Sequence, residues 1–219
     1  VGPGESSDSS PSVSGDVRIG VLASGSGTIL EAIVAAGLPV SMVLVDRPCR
    51  ARDVADRCSI PCVLVDRSAF GGFGPGFDRD AFTEAVTASL EDGSVDVVVM
   101  AGFGTVLTEP VHRAFPERIL NTHPALLPAF PGWNAVADAL AAGVAVTGTT
   151  VHIATVEMDA GPILARAEVP VLPGDTEATL HERIKSVERT LYPDTIRRFV
   201  DGLAAPVGDG PGSSAEVAP

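Results

Sequence analysis

Along the first half of the chain, short apolar runs alternate with amphipathic stretches. The runs VRIGVLA (17–23), VSMVLV (40–45), CVLV (62–65) and VDVVVMAGF (95–103) are rich in β-branched residues and lack polar alternation. That pattern predicts strands buried on both faces, as in a parallel sheet. Between them, segments at about 28–36, 50–57 and 78–91 read as helices, so crossover helices are expected to join the strands. FGGFGPGF (70–77) interrupts this order as a glycine-rich loop.

The second half changes character. RILNTH leads into a segment fenced by Pro124, Pro128 and Pro131, followed by a helix near 134–142. VTGTTVHIA and PILARAEVPV come next, separated by the short acidic link VEMDAG, and predict a pair of antiparallel strands. EATLHERIKSVERTLYPDTIRRFVDGL supplies a long amphipathic helix with a candidate kink at Pro193. The order predicts a single-domain α/β fold: a Rossmann-like, doubly wound, mostly parallel sheet with antiparallel strands added in the C-terminal half. The domain is expected to span 17–203. The ends, 1–16 and 204–219, are rich in Gly, Ser, Pro and acidic residues and are expected to be disordered tails.

Charge narrows the partners. Lys and Arg number 15 against 28 Asp and Glu, a formal charge of −13, which repels nucleic acid and anionic membrane surfaces. An anionic small substrate therefore needs a local cradle of backbone N–H groups or helix ends. The longest apolar stretches, of about nine residues, fall far short of the roughly 20 that cross a bilayer. No membrane span is expected and, with no secretory pattern at the N-terminus, a cytoplasmic location is. Cys49, Cys58 and Cys62 are odd in number and match no zinc spacing, so free, mostly buried thiols are expected. No two His or Cys residues have ligand spacing, and no metal is expected.

Three stretches could carry chemistry. ASGSGTILEAI (23–33) follows the first strand and opens the first helix, so N–H groups of Gly25, Ser26, Gly27 and Thr28 can converge on an anion, with the Thr28 hydroxyl as a further donor. A phosphomonoester site, a dinucleotide fingerprint completed by Asp46, and a merely tight turn are all open readings; Leu30 stands where the fingerprint expects Gly or Ala. His123 lies at a strand end, where an open sheet faces its ligand crevice, and Asn121 shares its parity. A His can move a proton near neutral pH and an Asn amide can donate to a developing oxyanion, while a turn with a satisfied His is the plainer alternative. Asp159, in VEMDAGP, either supplies a carboxylate to the same crevice or is a solvated turn residue. His152 fits a packed strand position as well as a functional one. His112 and His181 fall on predicted helices and are expected at the surface.

Read together and in order, the glycine-rich turn, NTHPALLPAFPG, TGTTVH and MDAGPIL resemble the phosphoribosylglycinamide formyltransferases of the folate-dependent formyltransferase superfamily, over about residues 17–200. The resemblance implies transfer of the formyl group of 10-formyltetrahydrofolate, a cosubstrate, to the amine of 5'-phosphoribosylglycinamide in purine biosynthesis, without a metal. It implies that Asn121 hydrogen-bonds the formyl oxygen, that protonated His123 stabilises the tetrahedral oxyanion, and that Asp159 pairs with His123 and helps remove the amine proton. Gly25, Ser26, Gly27 and Thr28 would hold the ribotide phosphate, and Glu188 the glycinamide end. Met100, Phe103, Gly104, Thr105, Val106 and Leu107 would line one folate wall and Ala154, Thr155, Val156 and Glu157 the other, with Asn134 and His152 in secondary roles. The chain departs from the family pattern at Ile29, Gly104, Thr105 and Asn134, where Asn, Met, Arg and His are common. Partners are expected to be small molecules, the ribotide and the folate, with a homodimer as an option. Methionyl-tRNA formyltransferase, formyltetrahydrofolate hydrolase and a non-catalytic ligand-binding relative are the alternatives.

Overall fold

The β-branched runs pair edge to edge into one seven-stranded sheet. In the computed structural model, which describes residues 17–204, the strands are β1 (Ile19–Ala23), β2 (Val40–Val45), β3 (Cys62–Leu64), β4 (Val97–Met100), β5 (Ile119–His123), β6 (Val146–Ile153) and β7 (Ile163–Pro170). Their order is β3-β2-β1-β4-β5-β6-β7. β1 to β5 are parallel, and β6 and β7 join antiparallel. The helices are α1 (Thr28–Ala35), α2 (Arg50–Arg57), α3 (Arg79–Asp92), α4 (Glu109–Ala114), α5 (Ala135–Ala141) and α6 (Glu177–Ala204). Apart from Ala204, which ends α6, both expected tails lie outside the described residues.

Alternate residues of each strand feed opposite cores. Val21, Val43 and Val99 pack with Leu30 and Ile33 of α1, Val54 of α2 and Tyr192 and Ile196 of α6. Their neighbours Leu22, Leu44 and Val98 pack with Phe82, Val86 and Leu90 of α3 and Val111 of α4. Burying each such side chain is worth about 1.5–3 kcal/mol, so the continuous apolar runs are what a sheet covered on both faces requires. Tyr192 is fully buried and tolerated there because its hydroxyl donates to the Leu120 carbonyl at 2.7 Å.

Three expectations change. The run 95–103 supplies only a four-residue strand, and from Ala101 the chain leaves the sheet. α6 continues through Pro193 as one helix to Ala204. The thiols are free, but none is buried: Cys58 is exposed and Cys49 and Cys62 are partly so, because they flank α2 and open the edge strand β3.

Candidate active site

The strand order reverses between β1 and β4, so the connections leaving these two strands diverge and open a crevice beyond their C-terminal ends. β1 runs into the Gly25–Thr28 turn and β4 into the stretch 101–107. The two are tied together where the Gly104 N–H donates to the Ser24 hydroxyl at 3.1 Å. Gly27 caps α1 at φ 76°, and a Cβ there would lie 2.8 Å from a Val54 methyl and 3.0 Å from the Ala51 Cα. Glycine is thus required by the packing of α2 as well as by the left-handed backbone.

β5 delivers Asn121 and His123 to this crevice on one face of the strand. Antiparallel pairing sets Asn121 against His152 and His123 against Thr150 of β6. His123 Nδ1 stands 3.4 Å from Asp159 Oδ2, and its Nε2–H donates to the Phe130 carbonyl at 2.7 Å. A ring that faces an acceptor at each nitrogen can donate at both only as the imidazolium. Asp159 also accepts from the Gly132 N–H at 2.7 Å, and its other oxygen is 3.7 Å from His152 Nε2. It holds a left-handed φ of 57°, a conformation Asp and Asn tolerate better than most side chains. Asn121 Nδ2 lies 3.4 Å from His152 Nε2, whose Nδ1 faces the Ile153 carbonyl at 3.0 Å. Burial pushes the His152 imidazole down, and a charged His123 would add to this, against the opposing pull of the Ile153 carbonyl and Asp159. The neutral ring therefore carries its hydrogen on Nδ1 and accepts from the Asn121 amide.

The proline-fenced segment is held from outside. Buried Thr150 donates its hydroxyl to the Ala125 carbonyl at 2.7 Å and accepts from the Leu127 N–H at 3.0 Å, and Arg166 donates to the Leu127 carbonyl at 2.9 Å. The Leu127–Pro128 peptide is cis. These bonds fix the Phe130 carbonyl and Gly132 N–H that orient His123 and Asp159.

A cavity of about 350 Å³, within the range of small-molecule sites, opens over these groups. Asn121, His123, His152 and Asp159 line it, with Met100, Phe103, Gly104, Thr105, Val106 and Leu107 on one wall and Ala154, Thr155 and Val156 on another. Glu157 is exposed and outside the lining; its carbonyl accepts the Thr155 hydroxyl. The Gly25–Thr28 turn and Glu188 are also outside it. Glu188 lies buried on α6, takes a hydrogen bond from the Thr122 hydroxyl, and is pushed up by burial. Asn134 is exposed at the start of α5, next to Trp133 at the cavity rim.

His112 and His181 correct the expectation of surface positions. Both are half-buried and line the cavity, because α4 and the first turns of α6 close its sides. Burial pushes both imidazoles down, with Lys185 adding to the effect at His181. Sequence reasoning also missed the Phe130 carbonyl, the Gly132 N–H and Thr150; the one available signal was the Pro-Gly step at 131–132. Among the described residues no group of three or more His, Cys, Asp or Glu could hold a metal ion, and no helix is long and apolar enough to cross a membrane.

The sequence profile of the formyl transferase family matches residues 17–196. A phosphoribosylglycinamide formyltransferase of Mycobacterium tuberculosis is 48% identical over 183 residues, covering 81% of this chain and 82% of the relative. The crystal structure of glycinamide ribonucleotide transformylase 1 from Symbiobacterium toebii superposes with a TM-score of 0.79 at 43% identity, covering 85% of this chain and 88% of that one. The phosphoribosylglycinamide formyltransferase of Bacillus halodurans does so with a TM-score of 0.78 at 34% identity, covering 85% and 96%.

Proposed function

The chain belongs to the formyl transferase family, and from that premise we propose that it transfers a formyl group from 10-formyltetrahydrofolate to the amine of 5'-phosphoribosylglycinamide. The observation that carries the reading is the convergence of Asn121, His123 and Asp159 on a mostly apolar cavity. Apolar walls suit a flat aromatic cosubstrate, and these polar groups suit its reacting carbonyl.

Attack of the amine on the formyl carbon forms a C–N bond, puts negative charge on the carbonyl oxygen and positive charge on the amine. In this reading the Asn121 amide, with one hydrogen directed to His152, gives the other to the oxyanion, and the His123 imidazolium stabilises the same charge. Asp159 accepts the amine proton, and the tetrahedral carbon then releases the folate nitrogen, which takes up a proton. His152 acts by orienting Asn121. The Gly25–Thr28 turn with its helix end holds the phosphate, and Glu188, bonded to Thr122 of β5, serves the glycinamide end. Glu157 sits at the folate rim, and Asn134 acts only through the turn it shares with Trp133. The same reading implies a cytoplasmic location and allows a homodimer, which sedimentation would detect.

Formylation of the ribotide, followed with both substrates, tests the function directly. Asp159→Asn keeps the shape and tolerates the left-handed backbone, and it is expected to lower kcat by about 10² to 10⁴ in a protein of unchanged secondary structure. Hydrolysis of 10-formyltetrahydrofolate to tetrahydrofolate and formate at equal rate with and without the amine would instead identify a hydrolase.

A further inference from the structure

One cavity wall, 101–108, belongs to no helix or strand, so its shape depends on side-chain and loop bonds. Four pins hold it. The Ala101 N–H donates to the Leu22 carbonyl at 2.8 Å, Gly104 N–H to the Ser24 hydroxyl at 3.1 Å, and Thr108 N–H to the Thr83 hydroxyl at 3.1 Å. In the fourth, the Thr105 hydroxyl donates to Asp46 Oδ2 at 2.8 Å, and here the acceptor is charged. Asp46 directly follows β2 and is 0% exposed. Arg67 donates to the same oxygen from Nη1 at 2.6 Å, and its backbone N–H bonds the Asp46 carbonyl at 3.0 Å. The Phe73 ring of the glycine-rich loop covers the Arg67 guanidinium at 4.3 Å. Asp46 Oδ1 has no partner among the described residues.

A buried ion pair is a poor source of stability, because desolvating each charge costs several kcal/mol and well-packed apolar groups often do as well. Such a pair can instead fix geometry, and this one ends on a residue of the cavity wall. Hydrogen bonds to an ionised acceptor are also the stronger kind, which suits a pin that must hold a loop. Resting on the folate reading of the cavity, we propose that Asp46 is a positioning residue for the folate side of the site. It sets the 102–107 wall through the Thr105 hydroxyl, and Arg67 orients its carboxylate for that bond.

Steady-state kinetics with both substrates tests this with Thr105→Val, Thr105→Ser and Asp46→Asn. Thr105→Val keeps the volume and loses the donor; its folate KM is expected to rise about tenfold, with kcat and ribotide KM within twofold of wild type. Thr105→Ser restores the donor and should raise folate KM several-fold less than Thr105→Val does. Asp46→Asn should raise folate KM at least as far, and adding Thr105→Val to it should change little more. Folate KM unmoved in Thr105→Val, an equal rise of folate KM in Thr105→Ser, or an equal rise in ribotide KM each overturns the proposal. Should Asp46→Asn fail to fold, the two Thr105 variants decide alone. A wild-type chain with no saturable folate dependence removes the folate reading itself, and the inference with it.

Discussion

His152 cannot serve Asn121 and Asp159 in the same protonation state. Neutral, with its hydrogen on Nδ1 toward the Ile153 carbonyl, it accepts from the Asn121 amide; protonated, its Nε2 turns donor toward Asp159 at 3.7 Å. Burial favours the neutral form, so the Asn121 support should persist through neutral pH and fade only below the ordinary histidine range. His152→Phe fills the space without the acceptor. Kinetics should give a kcat about tenfold lower, with both KM values within threefold, since a free Asn amide loses orientation rather than chemistry. At this scale the sequence was half legible. The shared parity of Asn121 and His123 followed from a period of two along a strand. The meeting of Asp159 with His123 came only from the family resemblance and that of His152 with Asn121 from no pattern, because both depend on the pairing register of β5 and β6 and on where a loop returns. His112 and His181 were misread for a related reason: helical spacing tells which residues share a face, not which helix closes a cavity.

Among the elements, β6 does more than extend the sheet. Its Thr150 hydroxyl is buried and carries two bonds to the proline-fenced segment, so Thr150→Val leaves the Leu127 N–H and Ala125 carbonyl without partners. Each buried orphan costs about 1–3 kcal/mol, and denaturant melts should therefore give a loss of roughly 2–6 kcal/mol. Activity should fall as well, because the Phe130 carbonyl and Gly132 N–H depend on the same segment. The strands and most helices were legible because continuous β-branched runs have few other uses. The strand expected over 95–103 was overextended because its last residues are as apolar as its first: Ala101 and Phe103 are buried, but in the loop that forms a cavity wall. Apolar composition reports burial and is silent on whether a residue is buried in a strand or in a packed loop.

For the whole molecule, the buried carboxyl of Glu188 makes stability depend on pH. Burial raises its ionisation above the ordinary glutamate range, with Thr122, Lys185 and Arg189 opposing. Between that range and its raised value the folded chain keeps a proton that the unfolded chain has released, so stability is greatest in acid and falls as pH rises through this window. Glu188→Gln cannot ionise and still accepts from Thr122. Its Tm should match wild type near the acid end and exceed it increasingly toward neutral pH, while ribotide KM rises; an unchanged Tm difference across pH would sink the assignment. A formal charge of −13 argued against nucleic-acid and membrane partners, but no composition reveals which carboxylate is buried. The rim residue Trp133 has another use. It is the sole tryptophan of the chain and is 66% exposed beside the cavity. Its ultraviolet emission therefore comes from a single known location, so the unlabelled wild-type chain carries its own optical gauge of what occupies the mouth.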